Sequence, residues 1–276
     1  MMKKKMVFGN TASGRKALGK AALALTAALL AGAFAGCGSS ETKTFTVGFD
    51  AEFPPYGFMG DDGEYTGFDL ELAEETAKRN GWTFVAQPID WDAKDAELNA
   101  GTIDCIWNGF TMNGREEQYT WSAPYIDNSQ VFVVPDDGSI SSLAELAGKK
   151  VGVQKDSSAL SALEGDEAEL ASTFAELTQY ADYNMAFMDL EQGAIDAVAI
   201  DIGVASYQIG KRDGGFRMLD EYLSTEQYAV GFRLGNEELR DAVQKTLDEM
   251  ASDGTVAKIA EKYADYGVPE ALCIGK

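Results

Sequence analysis

The chain has no histidine among its 276 residues. That removes His-based triads, histidine-ligated metal centres and the commonest general base. Basic residues are scarce too: 23 Lys and Arg stand against 45 Asp and Glu, a net charge of -22. A surface that acidic disfavours nucleic acid and anionic membrane surfaces, both of which want clusters of Lys and Arg. Cysteine occurs only at positions 37, 105 and 273, and no low-complexity segment follows Ser40. What is present is an ordinary globular composition, 45% hydrophobic and 25% charged. The length suffices for two domains, or one large one, with real cores.

The N-terminus stands apart. MMKKK, Lys16 and Lys20 supply positive charge, and Ala21 to Ser40 carries none. This is the order of a secretory signal: basic, then apolar, then small residues. The run ends in AFAGC followed by GSS. Small residues before a cysteine resemble a bacterial lipoprotein signal, which makes 1–36 the leader and Cys37 the lipidated first residue. The alternative is a plain membrane anchor, since the run is about as long as a spanning helix. Either way the rest of the chain is expected outside the cytoplasm. There Cys105 and Cys273 can form a disulfide or remain two separate thiols; sequence alone does not bring their Cα atoms together.

Beyond Ser40 the pattern alternates. TKTFTVGFD is strand-like, TGFDLELAEETAKRNG helical with Thr66 as a cap and Asn80-Gly81 as a stop, and WTFVAQP strand-like again. DAKDAELNAG is a short helix and TIDCIWNGF a buried strand. After a break, QVFVVP, KKVGVQ, AELTQYA and AIDAVAID read as strands. Between them lie SSLAELAG, with a capping box from Ser142 to Glu145, a helix opened by Ser157 and Ser158, and NMAFMDLEQG. GVASYQIGKR, a strand QYAVGFRL and two amphipathic helices complete the chain. Such alternation predicts two α/β units, each a mainly parallel sheet flanked by helices.

Ligands in such sheets bind beyond the carboxyl ends of the strands. Those ends carry Asp50, Phe53 and Tyr56; Thr111 and Arg115; Asp156, Ser157 and Ser158; and Asp201. The set holds acids, hydroxyls, aromatics and one arginine, with no nucleophile–base pair. It suits a small zwitterion: burying a carboxylate or an ammonium unpaired is very costly, and a guanidinium fork meets a carboxylate with two parallel bonds. Blander readings stand beside this one. Arg115 can pair with Glu116 or Glu117, Asp201 can cap a helix, Ser157 and Ser158 can be caps alone, and Phe53, Tyr56, Trp91 and Trp107 can be core.

From Phe45 onward the chain resembles the extracellular solute-binding proteins that feed polar amino acids to ABC transporters. The matching pieces, in order, are VGFDAEFPPYGF, YTGFDLELAEETAKRNG, IDWD, LNAGTIDCIWNGFTMNGRE, WSAPYIDNS, LAGKKVGVQKDSS, LEQGAIDAVAID and DGTVAKIAEKY. The resemblance implies a two-lobed, type II periplasmic-binding-protein-like fold. Lobe one would comprise 45–131 and 229–276, lobe two 132–228, after a lipidated linker 37–44. The two crossings, near Val131 and Ala229, would form the hinge.

It also implies roles. Asp50 and Phe53 match a first-strand acid and a stacking aromatic, and Trp91 an apolar wall. Gly109 would offer a carbonyl to the ammonium and Thr111 a hydroxyl to the carboxylate. Arg115 and Ser158 would hold the carboxylate, and Asp201 the ammonium. One departure is visible: TMNGR puts four steps between Thr111 and Arg115 where the family usually has five, and Asn113-Gly114 can make the tighter bend.

The expectation is a binding protein, not an enzyme, with no cofactor or metal. Its partners would be a polar amino acid, ABC permease subunits and the membrane through its lipid. A monomer and no nucleic acid are expected. A receptor-docking sensor would use the same site. A cyclohexadienyl dehydratase on this fold would need a poised acid, for which Asp50 or Glu226 are the nominees.

Overall fold

The computed structural model describes residues 42–212 and 214–275. The leader, Cys37 and its lipidation lie outside them.

Two sheets organise the chain. Strands are numbered in chain order. The first sheet has the order β5(Thr83–Pro88), β1(Thr44–Phe49), β6(Cys105–Ile106), β14(Gly231–Arg233), β7(Tyr119–Trp121). In the second, β10(Glu176–Tyr180), β9(Lys150–Gln154), β11(Ala197–Asp201), β8(Ile126–Pro135) and β12(Phe216–Met218) lie side by side, and β13(Ser224–Tyr228) also pairs with β8. A small meander, β2(Glu52–Phe53), β3(Gly57–Met59) and β4(Tyr65–Thr66), rides beside them.

The expected α/β architecture is present, but both sheets are mixed. β5 and β6 run parallel to β1, and β10 and β11 parallel to β9, joined by helical crossovers. β8, β13 and β14 run antiparallel to their neighbours. These strands carry the chain between the sheets without a crossover helix, so they enter each sheet against its direction. Along β8 and β13, Ile126 to Gln130 pairs with Ser224 to Tyr228 as a two-stranded ribbon. The single strand expected over QYAVGFRL is therefore two, β13 and β14, broken at Ala229-Val230 where the chain changes sheets.

The helices follow from apolar spacing and end signals. In α1(Phe68–Asn80), Phe68, Leu72 and Ala73 share the buried face. Asp69 and Glu71 open it, Lys78 and Arg79 close it, and Gly81 stops it in the left-handed conformation. Its N-cap is Gly67, not Thr66, which is drawn into β4. α2(Lys94–Ala100) leads into the first sheet. The capping box is partly formed: Ser142 stands at the N-cap without a side-chain bond, and Glu145 takes both the N–H and the hydroxyl of Ser141. α3(Ser158–Glu164) is capped by the Ser157 hydroxyl, and α5(Tyr183–Glu191), beyond the short α4(Ala168–Ala171), by Asp182. α6(Ile202–Gly210) follows β11 directly. α7(Glu237–Ser252) and α8(Thr255–Ala260) pack on α1.

The helix expected over 255–267 gives way at Ala260 to a 3-10 turn, followed by α9(Val268–Ala271). Leu272 then bridges to Ile126 and the Cys273 N–H donates to Tyr125 O, so the tail lies on the ribbon. Cys105 is a free, fully buried thiol on β6, and the bridge to Cys273 is not formed. No helix among the described residues is long and apolar enough to cross a membrane.

Candidate functional site

Eight of the residues singled out in the sequence line one small cavity: Phe53, Trp91, Gly109, Thr111, Arg115, Ser157, Ser158 and Asp201. They arrive from both sheets. Asp201 ends β11, and Ser158 opens the helix after β9. Gly109 and Thr111 follow β6, where Gly109 adopts φ +55°. A side chain there would meet the Phe53 ring at 2.7 Å and the Tyr228 ring at 3.1 Å. The Gly109 N–H donates to Asp69 Oδ2 at 2.6 Å, which sets the direction of this peptide.

The shortened turn is a tight bend. The Arg115 N–H donates to Met112 O at 3.0 Å across Asn113-Gly114, with Gly114 at φ +76°. Asn113 Oδ1 accepts from the Gln227 N–H and so pins the bend to β13. The bend turns the guanidinium inward. It donates to Thr111 O and Asp156 O, both at 3.3 Å, and lies 5.4 Å from the Phe110 ring centre. It forms no ion pair with Glu116 or Glu117.

Asp201 stands at the N-cap position of α6 but does not cap it. Its Oδ1 accepts from Asn128 Nδ2 at 2.9 Å, Gln130 Nε2 at 2.6 Å and the Tyr228 hydroxyl at 2.5 Å. Burial, then the neighbouring Glu226, push it up to about 7, partly offset by those donors. Glu226 Oε1 accepts from the Thr111 hydroxyl, Asn128 and Gln130, each at 2.8 Å, and Ser158 donates to Oε2. Both hydroxyls expected to face a ligand carboxylate are thus turned to Glu226.

Asp50 takes a different place. Its oxygens accept from the Glu52 N–H at 2.8 Å and Gln154 Nε2 at 2.7 Å, so Gln154 screens it from the cavity. Burial raises it first, with the Glu52 N–H and Gln154 opposing. It opens instead on an adjoining cleft with Glu52, Asp90, Asp92, Glu97 and Asp182, which no basic side chain lines among the described residues. Trp91 lines both spaces and stands edge-on to Phe110. Phe53 stacks with Tyr56 and Tyr183, and Trp107 is core.

Comparison with known proteins bears on this arrangement. Residues 45–266 match the bacterial extracellular solute-binding proteins, family 3. The chain belongs to that family. The L-cystine-binding protein TcyJ of Escherichia coli K12 is 33% identical over 91% of this chain and 95% of its own. The structure of an ABC uptake transporter substrate-binding protein from Streptococcus pneumoniae with bound histidine superposes with a TM-score of 0.77. It is 35% identical, over 80% of this chain and 92% of that one. An ancestral amino acid-binding protein, described as a precursor of cyclohexadienyl dehydratase, matches with a TM-score of 0.73 and 30% identity, over 80% of this chain and 95% of that one.

In this solute-binding protein several cavity residues escaped the sequence reading. Asn108 and Gln154 also line the space. Asn128 and Gln130 support its acids from β8. They alternate on the buried face of β8, with exposed Asp127 and half-buried Ser129 between them, so the sequence shows only a polar run DNSQ and period two appears once the face is known. Lys94 is 1% exposed and pairs with Asp156. Asp156 has a φ of +53°, a left-handed conformation that Asp tolerates.

Proposed function

We propose that this protein is the substrate-binding component of an ABC importer and binds a polar L-amino acid in this cavity. One observation carries the reading. The Arg115 guanidinium and the Asp201 carboxylate face one space from different sheets, and neither is neutralised by an ion pair among the described residues. That is the charge pattern of a zwitterion's two ends. Arg115 takes the carboxylate, helped by Thr111 and Ser158 as they swing from Glu226. Asp201 takes the ammonium with the Gly109 carbonyl. Phe53 and Trp91 wall the side chain, and Asp50, through Gln154, faces its far end.

Lobe one is then 45–131 with 229–276, lobe two is 132–228, and the β8–β13 ribbon is the hinge. A ligand that bridges the lobes stabilises their closed arrangement, which the permease reads. We assign Cys37 as the lipid-bearing residue of a monomer held on the outer face of the cell membrane, with 1–36 removed. The reading is of a binder, without turnover.

A thermal-shift panel of common L-amino acids, cystine and ornithine on residues 41–276 tests it. A ligand at about 100 times its Kd adds roughly 2.7 kcal/mol, a shift of about 5–10 °C for a chain of this size. A shift with one or a few amino acids is expected. No shift with any, in protein stripped of carried-over ligand, rejects the reading. One feature favours a second reading: Asp201, held near 7, is the kind of poised acid that a dehydratase needs. Aromatisation of a cyclohexadienyl substrate, followed by ultraviolet absorbance, would establish it; a flat trace leaves the binder.

A further inference from the structure

Asp201 and Glu226 converge. Asp201 Oδ1 and Glu226 Oε1 accept from the same two nitrogens, Asn128 Nδ2 and Gln130 Nε2, at 2.6 to 2.9 Å. Both carboxyl groups are more than nine-tenths buried, at 4% and 7% residue exposure. Two carboxylates drawn together in such surroundings do not both ionise cheaply. Neither forms an ion pair with Lys or Arg among the described residues.

The neighbourhood is rich in acceptors, and the buried hydroxyls of Tyr183 and Ser224 beside it bring no charge. With their NH₂ groups spent on the acids, Asn128 Oδ1 and Gln130 Oε1 are buried and accept nothing from the described residues. Tyr228 on β13, Tyr56 before β3 and Tyr183 on α5 face the pair, and burial with the nearby acids holds all three phenols neutral. Asp50 and Asp69 are the next acids out through those phenols. Arg115, the cation in the same cavity, is turned to backbone carbonyls. The nearest groups thus bring no positive charge to the pair, and a cation or a proton is what it lacks.

We propose that Glu226 acts with Asp201 as a two-carboxylate seat for the ligand's ammonium, and that the pair releases a proton when the ammonium arrives. In the ligand-free protein one carboxyl O–H keeps the pair at a single negative charge. On binding, that O–H breaks, its proton goes to the buffer, and N–H groups of the ammonium donate to both carboxylates. The inference rests on the amino-acid-binding reading and goes beyond it, because it makes uptake pH-dependent through a residue on the hinge ribbon.

Calorimetry of the wild-type protein tests this, with each amino acid that shifts in the panel, in buffers of different ionisation heat. With Asp201 titrating at about 7, about half a proton should be released per ligand at pH 7, and affinity should rise about tenfold from pH 6 to pH 8. Glu226→Gln keeps an acceptor for Thr111 and Ser158 but removes the like charge. It should cut the proton release at pH 7 at least twofold and move the pH dependence lower, which a merely structural role would not do. Buffer-independent heats with a flat pH profile overturn the inference while leaving amino acid binding intact, and they need no variant to fold. Unchanged proton release in folded Glu226→Gln overturns it as well. If no amino acid binds, the proposed function fails and this inference falls with it.

Discussion

Lys94, on α2 beside the first sheet, pairs its ammonium with the carboxylate of Asp156, which follows β9 of the second. The same Asp156 receives Arg115 on its carbonyl, so one residue engages two cations from across the cleft. Lys94 is buried while the Asp156 side chain is 48% exposed, so removing the acid strands a buried charge. Asp156→Asn keeps a residue that accepts φ +53° and deletes the charge. Discounted for the exposed partner, the loss should be about 1–3 kcal/mol. At about 2–4 °C per kcal/mol, the melting midpoint should fall by several degrees, and an unchanged midpoint would show that the pair holds nothing together.

Arg115→Ala should separate binding from stability. The guanidinium is half-buried and makes only two long bonds to carbonyls, so the fold should lose little. A ligand carboxylate left in the cavity without it loses about 3–5 kcal/mol, roughly two to four decades in affinity. Calorimetry with the panel's best amino acid checks this, and a loss below threefold removes Arg115 from the role proposed for it.

Much of this site was legible because it sits at strand ends. The alternation of strands and helices placed Thr111, Arg115, Ser158 and Asp201 at carboxyl ends, and the structure brings all four into one cavity. What stayed hidden was what antiparallel pairing alone creates. Glu226 meets Asn128 because β13 folds back on β8 from about 100 residues away, and no periodicity within either segment reports that register. Thr66 differs for a smaller reason: Gly67, one residue on, has the conformation that the helix end requires. Ser142 does stand at the N-cap of its turn, but Ser141 has the reach to Glu145.

Asp69 and Asp201 should act against the usual acid sensitivity of paired carboxylates. Asp69 is fully buried on α1, and burial pushes it up to about 7 despite bonds from the Gly109 N–H and the Tyr125 hydroxyl. Folded, it holds its proton more tightly than the unfolded chain does at its ordinary 3.8. Its contribution is therefore fully present below about pH 4 and is lost as pH rises through about 7. Asp201 acts in the same direction. Asp69→Asn keeps an acceptor for both donors without titrating. Melting midpoints at pH 5 and pH 8 should show the wild type losing more stability on going to pH 8 than the variant does. Equal slopes would mean that Asp69 is ionised throughout.

Gly109→Ala should damage the site through geometry alone. The methyl group would lie 2.7 Å from a Phe53 ring carbon and 3.1 Å from Tyr228, on a backbone at φ +55° that alanine adopts at a cost of about 1–2 kcal/mol. Neither ring can retreat freely: Phe53 is packed on Tyr56 and Tyr183, and Tyr228 is held by its bond to Asp201. The strain therefore reaches the aromatic wall and the ammonium seat together. It should weaken binding about tenfold or more while the melting midpoint falls by only a few degrees. Titration of the variant with the wild type's best amino acid decides it, because an affinity within threefold of wild type would mean that the peptide at Gly109 is free to move and orients nothing.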